Sequence, residues 1–597
     1  MIATAPHASA QTAPEVPAPE SSPPVPESSA PLPVSSAPLP VSSAPLPVSS
    51  APLPVSSAPL PVSSAPLPEA PAPPPPPPSG PTGTRTNLTG EYRVRSHYLN
   101  PLELSGQRAQ AVDATEMRLR LAVDVKHDDW LTLHTRFDLL DGVLFGDNGR
   151  FGRDPSPNTG VALAAKRPNS TLVTVGLEDG ADPVSRDSYT PRLKAAEVLQ
   201  VEYAYVDAVL PIGLLRVGRQ PSSPGASLGG HDGERLNRWG VSSFADTADR
   251  FMFATKLDEG FRALTRPGHV VDGSMDQGLF FATWLDLFNQ GSLIESGDAL
   301  LQQGGTLIWR DRDLFGVARD FLATTATVHL GGDDARTDVW AFPFRTSGKT
   351  KFVDFLFNSV VIQGESLEIA QGFAALSQKK PRMQEISGVG LQSILDFPIG
   401  PLTLTAEVDY ASGDDDPRPT TPSTVYSYPR DLNVGLLVFE RILAFQTARA
   451  AAVGIENLRA LDTESFPLTE VSTEGRFTNA LAFFPQAKLD LVDTAKHHLH
   501  IRLGALFAFA DEPVVDPVQT ILAEDGDSIS DDAVNFEGGP AGTYYGTELD
   551  VQLQWGFRGA FFWTVESAYL LPGDALEDDH GDAVNAFYLE NRLEFLF

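Results

Sequence analysis

Ala586-Phe587-Tyr588-Leu589-Glu590-Asn591-Arg592-Leu593-Glu594-Phe595-Leu596-Phe597 closes the chain. Phe587, Leu589, Leu593, Phe595 and Phe597 share one face of this stretch, and Glu590, Arg592 and Glu594 share the other. A period of two is the spacing of a β-strand with one apolar and one polar side. The same rhythm recurs upstream. Leu402, Leu404, Ala406, Val408 and Tyr410 oppose Thr403, Thr405, Glu407 and Asp409, and Leu549, Val551, Leu553 and Trp555 oppose Glu548, Asp550, Gln552 and Gln554. Met117 to Val125 and Leu499 to Phe509 repeat the pattern against Arg118, Arg120, His498, His500 and Arg502.

A soluble sandwich or propeller would turn such apolar faces inward, whereas a transmembrane barrel turns them outward to lipid. Three features favour the barrel. The segments run to about ten residues, the membrane-crossing length, rather than about 5–6. The polar faces carry successive full charges, as an aqueous lumen permits. Short turns such as Lys126 to Asp129 and Phe397 to Gly400 alternate with the long segments 140–195, 220–247, 411–479 and 511–543, and short periplasmic turns with long extracellular loops mark outer-membrane barrels.

The expected fold is therefore all-β, a transmembrane antiparallel up-and-down barrel. Strands are expected near 89–99, 115–126, 129–139, 196–208, 211–219, 248–257, 277–288, 304–311, 316–330, 336–344, 352–363, 385–396, 401–411, 480–491, 497–510, 544–556, 560–571 and 584–597. These are about 18 strands, with 16 or 20 as alternatives, and an even number puts both termini in the periplasm. The parity requires Val434 to Ala450 to be a helix inside the 411–479 loop, and 258–275 is too long for an ordinary turn. Closure would set Phe597 beside the first strand near Tyr92 and Val94.

The terminal strand resembles the C-terminal signal read by the outer-membrane assembly machinery, in which an aromatic residue ends an alternating strand. Leu215-Arg216-Val217-Gly218-Arg219-Gln220-Pro221, followed by Gly229-Gly230-His231-Asp232-Gly233 and then Asp246-Thr247-Ala248-Asp249-Arg250-Phe251, resembles a family of large, uncharacterised outer-membrane barrels of myxobacteria and related bacteria. The Val-Gly-Arg-Gln strand end is also similar to alginate-export-type barrels, which have 18 strands. Ser223-Pro224-Gly225 stands where the myxobacterial pattern has Trp-Gly. The resemblance implies residence in the bacterial outer membrane, with lipid and lipopolysaccharide as surroundings.

The N-terminus reads differently. Ala8-Ser9-Ala10 has the form of a secretory cleavage site, although no basic and apolar regions precede it. Residues 1–10 are either the remnant of a signal peptide or a chance match in an Ala-rich tail. Residues 11–88 are a Pro/Ser/Ala-rich segment in which Ser-Ser-Ala-Pro-Leu-Pro-Val begins at Ser28 and recurs at Ser35, Ser42, Ser49 and Ser56. Proline lacks an N–H and fixes φ, so an extended, disordered tether is expected, rising about 3.1 Å per residue. Residues 11–85 either span the periplasm towards peptidoglycan or form a linker without a partner.

The composition excludes whole classes of chemistry. With no cysteine there is no disulfide, thiolate catalysis or Cys-ligated metal. A net charge of -33 argues against nucleic acid as a partner. Gly348-Lys349-Thr350 lacks the first glycine of a phosphate-binding loop, and no serine-hydrolase or zinc-protease motif occurs. No enzyme, catalytic residue or cofactor is expected. His498 and His500 have a chelating spacing but also suit a lumen wall. Asp414, Asp415, Asp416, Asp525 and Asp527 are candidate loop sites for loosely bound Ca²⁺, although Ser530 and Phe536 break an EF-hand begun at Asp525. The candidate pore-lining residues are Arg93, Arg95, Arg118, Arg120, His134, Arg136 and Arg216 on early strands, with Glu407, Asp409, His498, His500, Arg502, Glu548 and Asp550 on later ones. A basic wall facing an acidic wall would suit a porin or export channel for small polar or anionic solutes. The alternative is a plugged structural or adhesive barrel in which these charges pair with one another.

Overall fold

The computed structural model describes residues 83–597 apart from 105–110, 146–172, 178–180, 182–188, 194–196, 224–225, 235–236, 243, 267, 270–271, 273, 289–299, 333–335, 368–379, 417, 419, 449–471, 514–541 and 578–582. The repeats of the expected tether and the candidate Ca²⁺ ligands Asp525 and Asp527 lie outside the described residues.

Eighteen antiparallel staves close into one barrel. In chain order they are β1 Thr84–Asn100, β2 Val112–His127, β3 Leu131–Leu144, β4 Glu197–Leu210, β5 Gly213–Pro221, β6 Thr247–Lys256, β7 Gly278–Phe288, β8 Leu300–Leu314 and β9 Ala318–Gly332. There follow β10, in two arms Thr337–Ala341 and Phe344–Lys349, then β11 Asp354–Ser366, β12 Gln384–Ile399, β13 Leu402–Ala411, β14 Ala480–Asp493, β15 His497–Ala510, β16 Tyr544–Phe557, β17 Phe561–Pro572 and β18 Ala586–Leu596. β10 was expected unbroken over 336–344. It breaks because Pro343 has no N–H for the ladder. Its carbonyl still accepts from the Ala326 amide at 3.0 Å, and both arms pair with β9 and β11. β1 begins at Thr84 rather than Thr89, so the last residues assigned to the tether belong to the wall.

The alternation has the sense a membrane requires. Leu285, Leu287, Leu549, Val551 and Phe595 are exposed on the outer face, whereas Arg95, Glu566, Glu590 and Arg592 on the inner face are buried. Charged residues inside and apolar residues outside invert the soluble arrangement. The stretch 258–275 contains a helix, α1, Leu257–Thr265. Val438–Leu443 is a π-helical turn that continues as α-helix to Ala448, within the long segment between β13 and β14.

β18 pairs with β1, Tyr92 opposite Phe595 and Val94 opposite Leu593. Phe597 reaches past them to Gly90, donating at 3.0 Å and accepting at 2.7 Å. Its ring lies on Gly90 so closely that a Cβ there would stand 2.4 Å from Phe597 Cζ. Gly90→Val should displace the ring and destabilise the closed barrel by about 1–3 kcal/mol, read as a lower temperature for the mobility shift of the folded form in gel electrophoresis.

Candidate functional site

The inner wall begins with β1–β3, which supply Arg93, Arg95, Arg118, Arg120 and Arg136. Their cationic face is not bare. Arg95 bridges Glu590 of β18 at 2.9 Å and Glu116 of β2 at 3.1 Å. Arg118 meets Glu91 at 2.7 Å, and Arg120 binds Asp138 through two 2.6 Å bonds. Arg93 lies 3.9 Å from Asp141, and Arg136 pairs with Glu234. His134 of β3 contacts Asp124 of β2 at 2.7 Å, and on the next staves Arg216 grips Asp207 at 2.6 and 2.7 Å. The expected basic wall is thus a belt of ion pairs, because carboxylates share the inward face of the same strands. It carries no uniform transverse field.

Two connections fold into the lumen rather than standing outside it. The first lies between β5 and β6. On one side the carbonyls of Gly233 and Asp232 accept from Arg120 at 2.8 Å and Arg136 at 2.9 Å. On the other, Arg238 binds Asp396 of β12 at 2.8 and 2.7 Å, Trp239 Nε1 donates to Gln486 of β14 at 3.1 Å, and the Gly240 amide donates to Glu566 of β17 at 3.0 Å. The segment therefore crosses the barrel. Burial works against the charge on Arg238, but Asp396, Glu407 and Asp409 outweigh it and raise its pKa.

The second connection, from β13 to β14, carries Tyr426, Tyr428 and the π-helical turn. It packs on the inward side chains Ala480, Ala482, Leu506, Ala508, Leu570 and Tyr588. Glu548 caps the turn, accepting from the amides of Leu436 at 2.6 Å, Leu437 at 2.9 Å and Val438 at 2.7 Å. A carboxylate at that end meets both the free N–H groups and the positive end of the helix dipole. Glu407 accepts from Gln486 at 2.5 Å, and Asp409 from Gln392 at 3.0 Å. Asp550 is buried beside Glu548. Glu548 thus supports the second inward segment directly, and Asp409 also accepts from its Tyr428 hydroxyl at 3.4 Å.

These segments leave part of the lumen uncovered. Most inward residues of β16–β18 are buried, Gln554 and Phe562 near the short turns excepted, but Thr306 and Ile308 of β8 and Thr324 and Ala326 of β9 are only half-buried. Nearer the short-turn rim, Arg238, Asp354, Asp396, Thr403, Thr405, Gln486, Lys488 and Arg502 line a cavity of about 370 Å³. Arg502 Nε and Nη1 are buried there, without hydrogen-bond partners among the described residues, and its guanidinium lies 5.7 Å over the Trp239 ring. Arg238, Asp396, Gln486 and Lys488 were not singled out from the sequence. The Trp239 loop carried a signal, an aromatic residue in a long polar connection, and so did the inward alanines at 480, 482 and 508.

His498 and His500 do not converge. His498 contacts Asp493 at 2.8 Å, and His500 contacts Gln552 at 3.1 Å. Among the described residues no group of three or more His, Asp or Glu could hold a metal ion. Asp414 accepts from the amides of Asp416 at 3.0 Å and Thr424 at 3.4 Å, Asp416 binds Arg418 at 2.6 Å, and Asp415 is exposed.

No family model and no curated protein matches the chain. Among solved structures, OpdK of Pseudomonas aeruginosa, an outer membrane protein, aligns over 86% of this chain and 98% of its own at 10% identity and a TM-score of 0.37. OccAB1 of Acinetobacter baumannii aligns over 85% and 97% at 10% identity and 0.43. OccK2 (OpdF) of P. aeruginosa, solved in complex with glucuronate, aligns over 86% and 98% at 8% identity and 0.37.

Two outcomes follow from this geometry. Glu548→Leu leaves three amides without their acceptor, each costing about 1–3 kcal/mol if it stays buried. Faster hydrogen exchange at Leu436 to Val438, with the barrel intact, is the expected result. Burial pushes the Asp414 carboxyl up to about 6, with Asp415 and Asp416 adding to the rise and the two amides opposing it. The folded loop therefore holds a proton that the unfolded loop releases near its ordinary value. This stabilisation is complete below about pH 4 and is lost as pH rises through about 6. Proteolysis of 411–429 should quicken over that interval, and Asp414→Asn should flatten the dependence.

Proposed function

We propose that the chain is a bacterial outer-membrane channel, a porin or export channel for small polar or anionic solutes, with both termini periplasmic. The observation that carries this reading is the cavity where the unpartnered guanidinium edge of Arg502 stands with Lys488 and Arg238. A carboxylate or phosphate would supply the acceptors that this edge lacks. Thr403, Thr405 and Gln486 offer hydrogen bonds to hydroxyl groups of the same solute. Passage runs along the β8–β9 side, which the inward segments leave open. The apolar outer belt supports outer-membrane lipid and lipopolysaccharide as surroundings, and the terminal strand supports recognition by the assembly machinery. The tether of residues 11–85 with peptidoglycan as partner, loosely bound Ca²⁺ at Asp414, Asp415, Asp416, Asp525 and Asp527, and kinship with the myxobacterial or alginate-export-type barrels are proposals of the sequence.

A second reading, a plugged structural or adhesive barrel, draws on the helix packed inside the lumen. Planar-bilayer recording separates the two. The channel reading expects discrete current steps with anions favoured over cations. Arg502→Ala combined with Lys488→Ala should lower that preference severalfold while current persists, since each charge contributes to the potential of a narrow low-dielectric passage. No current above background in the wild-type protein would sink the channel and favour the plug.

A further inference from the structure

At the short-turn rim, α1 joins β6 to β7 and has two unlike sides. Leu257, Phe261 and Leu264 recur at i, i+4 and i+7, the spacing of one helix face. Phe261 is 69% exposed and Leu264 88%. On the opposite side Glu259 is buried, pairing with Arg262, accepting from the Asp272 amide at 2.9 Å and contacting His269 Nε2 at 2.7 Å. Asp258 accepts from the Leu279 amide at 3.2 Å. The polar side thus fixes the helix to its own loop and to β7, and the apolar side is presented outward on purpose-built supports.

The direction of that apolar face is set by the wall. Phe251, Phe253 and Thr255 occupy the outward register of β6, and Leu257 continues it. Leu279, exposed on the outward register of β7 opposite Trp309, extends the same surface across the turn. Arg266 is exposed at the end of α1. Lys256 and Arg310, on the inward registers of β6 and β8, hold the loop from the other side through the carbonyls of Ser274 at 3.0 Å and Met275 at 2.9 Å.

We propose that α1 lies in the headgroup–acyl boundary of the bilayer, with Leu257, Phe261 and Leu264 among phospholipid chains and the polar side at headgroup level. The face is continuous with a surface that already meets lipid. The helix would then act as a float, fixing the height of this rim in the membrane. The reading is independent of the solute and of whether the lumen conducts.

The chain contains no cysteine, so single spin labels report without background. Labels at Phe261→Cys, Leu264→Cys and Ala263→Cys, the last on an exposed position away from the apolar face, are placed in the full chain. The protein is reconstituted into phosphatidylethanolamine–phosphatidylglycerol vesicles, with folding checked by gel mobility. Labels at 261 and 264 should be relaxed by oxygen and protected severalfold from a water-soluble nickel chelate, at a depth of about 5–10 Å. The label at 263 should show the reverse. Equal nickel access at all three positions would overturn the proposal and leave the face to a soluble partner. Protection from both reagents at 261 and 264 would mean protein contact and would overturn it too.

Discussion

Everything in this molecule depends on the seam between β1 and β18. A sheet in hydrocarbon cannot leave an edge, because each unpaired N–H or C=O there has no water to turn to. Ten register pairs from Glu91–Leu596 to Asn100–Phe587 close that edge, and the Phe597–Gly90 bonds extend it to the rim. Closure then dictates where side chains go. One face of every stave is committed to lipid, so the charges of the wall are accommodated inside, apart from outward ones near the rims such as the Arg219–Asp249 pair.

Inside, the constraint becomes electrostatic. Arginines on neighbouring staves would repel one another in a lumen that inward segments partly seal from water. Their positions are tolerable because carboxylates alternate with them around the wall, Glu116 and Asp138 from β2 and β3 and Glu590 from β18. The Arg95–Glu590 pair spans the seam itself, so side-chain pairing and backbone closure reinforce each other at the same place. Removing one partner of such a pair is far more damaging than never having had it, since the survivor is left desolvated. The belt is best regarded as the condition for having charges in the wall at all, rather than as surplus stability.

The staves were legible because a period of two is local. Neighbouring residues alone reveal it, and the turns at Lys126 to Asp129 and Phe397 to Gly400 punctuate it. The helix expected over Val434 to Ala450 was legible in local composition, though it begins only at Val438, after bends at 434–437. The pairing of charges was not, because Arg95 and Glu590 are separated by 495 positions and meet only once the register is fixed. Counting Arg93, Arg95, Arg118 and Arg120 as a basic wall overlooked Glu91 and Glu116 on the same face. The break at Pro343 was written in the sequence as a missing donor. The inward course of the Trp239 segment was not, since its anchors Asp396, Gln486 and Glu566 come from three separate staves.

The alanines explain why the inward segments lie where they do. A lumen wall in water would carry polar residues throughout, yet the inner faces of β14, β15, β17 and β18 change to Ala480, Ala482, Ala508, Ala568 and Ala586 towards their long-loop ends. Small apolar side chains leave room for a helix and give it a surface to bury against. The acidic residues of β16 and β17 then acquire their roles by position. Glu548 lies under the helix end and receives its amides, and Glu566 lies under Gly240 and receives its N–H. The late wall is therefore a socket, apolar above and carboxylate-lined below. Its occupant fills the late side of the lumen, whereas the inward residues of β8 and β9 stay half-buried, and the cavity beside Arg238, Lys488 and Arg502 lies towards the short turns.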